Sequence, residues 1–249
     1  MNSRDTLSFS PIGTITSPYK EKFGIPRQPG LVTAARATLT LLPPYNQPEI
    51  VRGLEGFSHV WLIFVFHGTQ AQGWKPTVRP PRLGGNARLG VFATRSTFRP
   101  NPIGLSVAEL CGITIQGNHI TLELAGADLL DGTPILVDIK PYLPYADALT
   151  HASAGFAPDA PNPQQAVVFS AKASLQCAQK QAQYQTDVRL LIEQILSQDP
   201  RPSYQHGQQA GRVYAMRVYA MRLYDFDLRW HYTASGIEVL ELADLDQNT

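Results

Sequence analysis

Apolar and polar positions alternate with a period of two through much of the first 150 residues, and that period predicts strands. The clearest stretch runs from Ile113 to Leu124. Ile113 and Ile115 flank Thr114; after Gln116-Gly117-Asn118, Ile120, Leu122 and Leu124 alternate with Thr121 and Glu123. Two alternating runs across a glycine-containing turn predict a hairpin. Strands are predicted over Phe9–Ile15, Ala37–Leu42, His59–Phe66, Leu89–Thr94, Leu105–Ile115, His119–Leu124 and Ile135–Ile139. Val60–Phe66 is apolar at every position, as expected of a strand covered on both faces. These strands, with no long amphipathic helix between them, predict a β-barrel rather than a doubly wound sheet.

The pattern changes after residue 150. His151–Gln165 is rich in Ala, Pro, Ser and Asn, lacks a hydrophobic period and reads as a linker. Ala171–Gln198 predicts one helix, with Leu175, Ala178, Ala182, Leu190, Leu191 and Ile195 as its buried set. Asp199-Pro200-Arg201-Pro202 stops it. Val213–His231 and Ile237–Leu242 predict strands joined at Ala234-Ser235-Gly236. The chain is therefore expected to be mainly β: a barrel domain over 7–147, a linker over 148–166, and a small α+β domain over 167–249. Arg212-Val213-Tyr214-Ala215-Met216 is repeated at once as Arg217-Val218-Tyr219-Ala220-Met221. Five is odd, so an unbroken strand would turn the second copy inside out; a bulge, a loop or a longer hairpin is expected to absorb it.

Composition adds constraints. The chain has 249 residues, 43% of them apolar, enough for a sizeable core. With 20 prolines and 19 glycines, short elements and many turns are expected. Cys111 and Cys177 are too few for a zinc cage or a disulfide framework, and the six histidines show no ligand spacing, so no metal is expected. The N-terminus lacks a leader pattern, and the longest apolar run is far short of a bilayer span. A cytoplasmic protein with no membrane partner is expected.

The net charge is only +1, but its distribution is uneven. Between Glu55 and Glu109 there is no acid, while Lys75, Arg79, Arg82, Arg88, Arg95 and Arg99 fall there with Trp74 and Phe98 among them. A solvated basic loop would look like this; so would a surface whose arginines fork onto phosphates. Arg79–Asn86, with two prolines and two glycines, cannot be regular structure, and a rigid Pro100-Asn101-Pro102 turn follows. Asp128-Leu129-Leu130-Asp131-Gly132-Thr133-Pro134 is a turn that can also offer a carboxylate and backbone groups to a ribose or an ammonium. No glycine-rich dinucleotide fingerprint, P-loop or nucleophile elbow occurs. Pro43-Pro44-Tyr45 has Leu42 where an amino-methylating motif needs a polar residue, and carries no chemistry.

Phe9–Gly13, Pro26–Gly30, Arg79–Asn86, Gly90–Arg95, Arg99–Gly104 and Asp131–Tyr145 together resemble the TrmO family, also called TsaA-like. The resemblance continues through Asp199–Pro202 and Leu223–Trp230. It implies a single-sheet barrel used as a homodimer, and a methyltransferase that uses S-adenosylmethionine to methylate N6 of N6-threonylcarbamoyladenosine at tRNA position 37. It places the cofactor near Pro26, Arg27, Gln28, Phe66, His67, Arg95, Leu105, Leu130, Asp131, Gly132 and Thr133. Arg27 or Arg95 can fork onto the methionine carboxylate, and Asp131 can accept from the ammonium or a ribose hydroxyl. Arg79, Arg82, Arg88 and Arg99 are the expected tRNA contacts. By chemical type, Asn101, Asp138 and Tyr142 are candidates to assist the attacking nitrogen. Two further readings are a non-catalytic RNA-binding barrel and a different reaction of S-adenosylmethionine.

Overall fold

The computed structural model describes residues 8–84, 86–161, 165–201 and 217–245. In chain order the first part holds β1 (Gly13–Thr16), β2 (Arg36–Leu41), β3 (His59–Val65), α1 (His67–Gln70), β4 (Thr77–Val78), β5 (Leu89–Gly90), β6 (Ile103–Gln116), β7 (His119–Ala125), β8 (Pro134–Pro141) and α2 (Pro144–Asp147). Six strands close into a barrel in the order β1-β2-β7-β6-β3-β8, each neighbour antiparallel. The expected hairpin is β6–β7, with Ile115 opposite Ile120 and Gly117 at φ 60°. Its inward row, Ile120, Leu122 and Leu124, joins Leu39, Leu62, Ile15 and Ile135 in a buried core. Period two thus converts directly into burial.

Two expectations for these strands need correction. Over Leu89–Thr94 only Leu89 and Gly90 form a paired strand; Val91–Ala93 turn into a 3-10 helix. β5 pairs only with β4, outside the barrel. Pro76, Pro80 and Pro81 bracket β4 and have no N–H to extend the ladder. β3, in turn, is covered on one face. Val60, Leu62 and Phe64 are buried, while Trp61, Ile63 and Val65 face outward, half-buried beside Val107, Leu105 and Ile103 of β6.

The second part holds β9 (Val167–Phe169), α3 (Ala171–Tyr184), α4 (Val188–Ser197), β10 (Tyr219–Leu223), β11 (Phe226–Thr233) and β12 (Gly236–Asp244). Its sheet runs β10-β11-β12-β9, with β9 parallel to β12. The single helix expected over 171–198 is two. Gln185 adopts a left-handed backbone (φ 51°), and the Asp187 carboxylate caps α4 by accepting from Leu190 N at 2.9 Å. The break resets the helical phase. Ala173, Cys177, Val188, Leu191, Ile192, Ile195 and Leu196 are buried, whereas Leu175 is 64% exposed and Ala178, Ala182 and Leu190 also face solvent. The strand expected over Val213–His231 is folded back at Tyr224-Asp225 to give β10 and β11. Tyr219-Ala220-Met221 of the second repeat copy opens β10; Arg212–Met216 lies outside the described residues.

The two parts share a segment. Tyr19, Val32, Ala34 and Ala35 are buried in the cluster built around Trp230, Phe226 and the face of α4. Tyr19 bridges Leu223, Tyr224 N donates to Pro18 O at 2.9 Å, and Ala34 N donates to the Gln194 side chain at 2.9 Å. Residues 19–35 are thereby anchored at both ends in the second core.

Candidate active site

A cavity of about 300 Å³ opens where β3 leaves the barrel and turns into α1. That is the size of a small-molecule site. One wall is the end of β3 and α1. Phe64 and Phe66 meet edge to face there, ring centroids 5.1 Å apart. Phe66 N donates to Pro102 O at 2.8 Å, so the Pro-Asn-Pro turn holds this exit in place. A second wall is the turn before β8, carrying Asp128, Leu130 and Thr133. Thr133 closes it, its hydroxyl donating to Leu130 O at 2.6 Å, and Gly132 supplies the positive φ (73°) the turn requires. The third wall, Lys22 and Ile25–Pro29, lies within the segment anchored in the second core. Lys22 Nζ donates across the gap to Gly68 O at 2.5 Å.

Of the residues the resemblance assigns to the cofactor, the cavity brings together Pro26, Arg27 and Gln28 with Phe66, His67 and Arg95. Leu105, 57% exposed on β6, and Leu130 and Thr133 line it too. Asp131 and Gly132 do not. The Asp131 carboxylate accepts from Ser17 N at 2.9 Å and pairs with Lys20 at 2.7 Å; Gly132 N donates to Ile15 O. The carboxylate facing the cavity is Asp128. Burial pushes its carboxyl above the usual range, against the Ser106 hydroxyl bonded to it and the pull of Arg95. Sequence reasoning named this turn but not Asp128 as the residue, and it missed Lys22 and Thr97 altogether. Only the absence of acids around Thr97 gave any signal there.

The three catalytic candidates lie outside the cavity lining. Tyr142 packs on Trp61 and His59, at the opposite end of β3 from Phe64. Asp138 Oδ2 pairs with Lys140 at 2.5 Å and sits opposite Ile63 on β3. Asn101 is exposed in its turn. Arg79 and Arg88 are exposed; Arg82 is exposed too and donates to Asp159 O. Arg99 is half-buried and donates to Thr94 O at 2.7 Å, bracing the Val91–Ala93 turn. On that turn Phe92 stands 77% exposed, and Trp74 on the same segment is 58% exposed.

Fold and site together define an antiparallel-barrel protein with a cation-rich pocket for a small ligand at one strand end. The chain belongs to the tRNA-methyltransferase O family: residues 14–148 match its N-terminal domain and residues 162–245 its C-terminal domain. It is 53% identical over 237 residues to the tRNA (adenine(37)-N6)-methyltransferase of Escherichia coli strain K12, covering 95% of this chain and 98% of that one. It is 52% identical to a Pseudomonas aeruginosa protein named as a candidate S-adenosylmethionine-dependent methyltransferase, RcsF, over 97% of this chain and all of the other. A crystal structure of TrmO from the same organism superposes with a TM-score of 0.79 at 45% identity, covering 98% of this chain and 100% of that one.

The donor set suits S-adenosylmethionine. Lys22, Arg27 and Arg95 offer cations to a carboxylate, Asp128 offers an anion, and Phe64 and Phe66 offer aromatic surface to a sulfonium or a purine. Among the described residues no cluster of His, Cys, Asp and Glu could hold a metal ion, and no helix is long and apolar enough to cross a membrane.

Proposed function

We propose that this chain methylates N6 of N6-threonylcarbamoyladenosine at tRNA position 37, beside the anticodon, with S-adenosylmethionine as donor. The broader activity, a cofactor-dependent methylation of tRNA adenine at N6, follows from family membership and from the relatives' names. The observation that carries the finer reading is one of continuity. Arg95 and Thr97 line the cavity, and the same acid-free segment presents Trp74, Phe92, Arg79, Arg82 and Arg88 to solvent.

When bound, the sulfonium supplies an already activated methyl group. The chain's own work is alignment. Arg27 and Arg95 orient the end of the cavity that takes a carboxylate, while Phe64 and Phe66 exclude water from its wall. The exposed aromatics suit the stacking of unpaired anticodon-loop bases, and the arginines suit phosphates. The threonyl carboxylate of the modified base would meet a cationic rim with no neighbouring acid from Glu55 to Glu109. Without it those arginines keep only neutral partners, Arg95 on the Gln28 side chain and Arg82 on Asp159 O, and gain no charge-assisted bond, which disfavours the unmodified base.

The same reading takes the chain as a cytoplasmic homodimer. The outward apolar row Trp61, Ile63 and Val65, beside Leu105 and Val107, supports a partner subunit.

Initial methylation rates on otherwise identical tRNAs with and without the threonylcarbamoyl group test the proposal. Loss of about a hundredfold or more in kcat/KM without it is expected. Equal rates would remove the substrate assignment. Demethylation of the cofactor without transfer to any tRNA would favour a different reaction.

A further inference from the structure

We infer that Phe92 stacks on the unpaired nucleobase adjoining the target adenosine, and that Arg99 is the positioning residue that holds Phe92 there rather than a contact to phosphate. Both roles rest on the tRNA-methylation reading above and concern the strand beside the reacting base. Phe92 is the middle residue of the Val91–Ala93 turn and stands out into solvent. Beneath it Val91 is buried, and Val91 N donates to Pro76 O at 3.0 Å. Val91 O accepts from Thr94 N at 3.2 Å, from Thr94 Oγ1 at 2.9 Å and from Arg99 Nη1 at 3.3 Å. The same Nη1 donates to Thr94 O at 2.7 Å. A single exposed apolar side chain is ordinary on a protein surface. A ring set on a turn whose carbonyls are tied down by an arginine is a built feature, since exposing it adds nothing to the core.

The Arg99 guanidinium lies over the Phe92 ring, 5.7 Å from its centroid, which leaves the opposite face to solvent. Arg95, three residues on, lines the cavity, so Phe92 lies within about 11 Å of that wall along the chain. An adenine that reaches a methyl donor in the cavity must leave the stack of its strand. Its neighbour then exposes a bare π-face, and an aromatic side chain fixed at the rim replaces the lost partner. Arg79, Arg82 and Arg88 are exposed, as contacts to phosphate need to be; Arg99 is half-buried and engaged with two carbonyls and the ring.

Methylation rates at saturating S-adenosylmethionine test both roles, on threonylcarbamoylated tRNA that is intact or carries an abasic nucleotide on one or the other side of position 37. Phe92→Ala is expected to lower kcat/KM on intact tRNA by roughly ten- to hundredfold. Phe92→Trp should retain the rate. On the tRNA that lacks the stacked base, Phe92→Ala should cost nothing further. Arg99→Gln should lose nearly as much as Phe92→Ala on intact tRNA, add little to it in the double variant, and leave the salt dependence of tRNA binding as in the wild type. An S-adenosylmethionine affinity and melting midpoint unchanged in Phe92→Ala report that cavity and fold are intact. Undiminished kcat/KM in Phe92→Ala, or the full loss persisting on both abasic tRNAs, overturns the stacking. An additive loss with a flatter salt dependence in Arg99→Gln overturns the positioning role and returns Arg99 to the phosphates. Sedimentation of Phe92→Ala as a smaller species than the wild type would give the ring to a second copy of this chain and overturn the stacking as well. If the wild-type chain methylated no tRNA, the functional reading itself would fall, and both roles with it.

Discussion

The Arg95 guanidinium donates to the side-chain oxygen of Gln28, joining two loops 67 residues apart across the rim of the cavity. One loop belongs to the basic, acid-free segment; the other is the segment whose ends are buried in the second core. A long exposed arginine is thereby held at the cavity wall, so a group that binds it there costs less rotamer freedom.

Arg95→Ala should therefore weaken S-adenosylmethionine binding by about 1.5–3 kcal/mol, the range for a hydrogen bond to a charged group. The thermal midpoint should move little, because Arg95 is exposed. Calorimetric titration beside a melting curve checks both, and unchanged affinity would remove Arg95 from the site.

Replacing Arg79, Arg82 and Arg88 together by alanine should weaken tRNA binding and flatten its dependence on salt, since fewer counterions are released. None of the three lines the cavity, so cofactor affinity should hold. Filter binding across a salt series is the measurement. A slope equal to the wild type's would move the RNA surface elsewhere.

Gly104→Ala tests the floor of the site. Gly104 on β6 lies opposite Phe64 on β3, and a Cβ there would fall 2.3 Å from the ring. The ring lines the cavity, so the added methyl must push it there or force the strands apart. A cost of about 1–3 kcal/mol in stability is expected, with a loss of cofactor affinity beyond what unfolding accounts for. Denaturant unfolding and ligand titration on the same sample separate the two.

Phe23→Ala addresses the shared segment. Phe23 stacks on Trp230 of the second core at 6.1 Å and is absent from the cavity lining, yet only Gly24 separates it from the wall Ile25–Pro29. Loosening this contact should raise the cofactor Kd and speed hydrogen exchange over residues 22–30, while exchange in β6 and β7 stays slow. Exchange unchanged in that segment would show that the second core does not hold the wall.

Local pattern by itself determined the strands of the barrel and the absence of a dinucleotide-binding fold. Side chains on a strand alternate faces whatever their partner, so Ile113–Leu124 declares its period before any pairing exists. The family motifs were equally legible, because each is a contiguous run of residue types. What tertiary structure alone decided depends on distant partners. Leu89–Thr94 has strand-like residues, but prolines leave it only β4 to pair with. The helix over 171–198 is continuous in composition, and its break shows only when Gln185 turns left-handed and Asp187 takes up the cap. Asp128 and Asp131 share one turn and one chemistry. Ser17, 114 residues away from Asp131, draws that side chain out of the cavity, and Ser106, 22 residues from Asp128, holds the other in it. Which carboxylate lines the cavity is thus set by contacts that exist only once the barrel has closed.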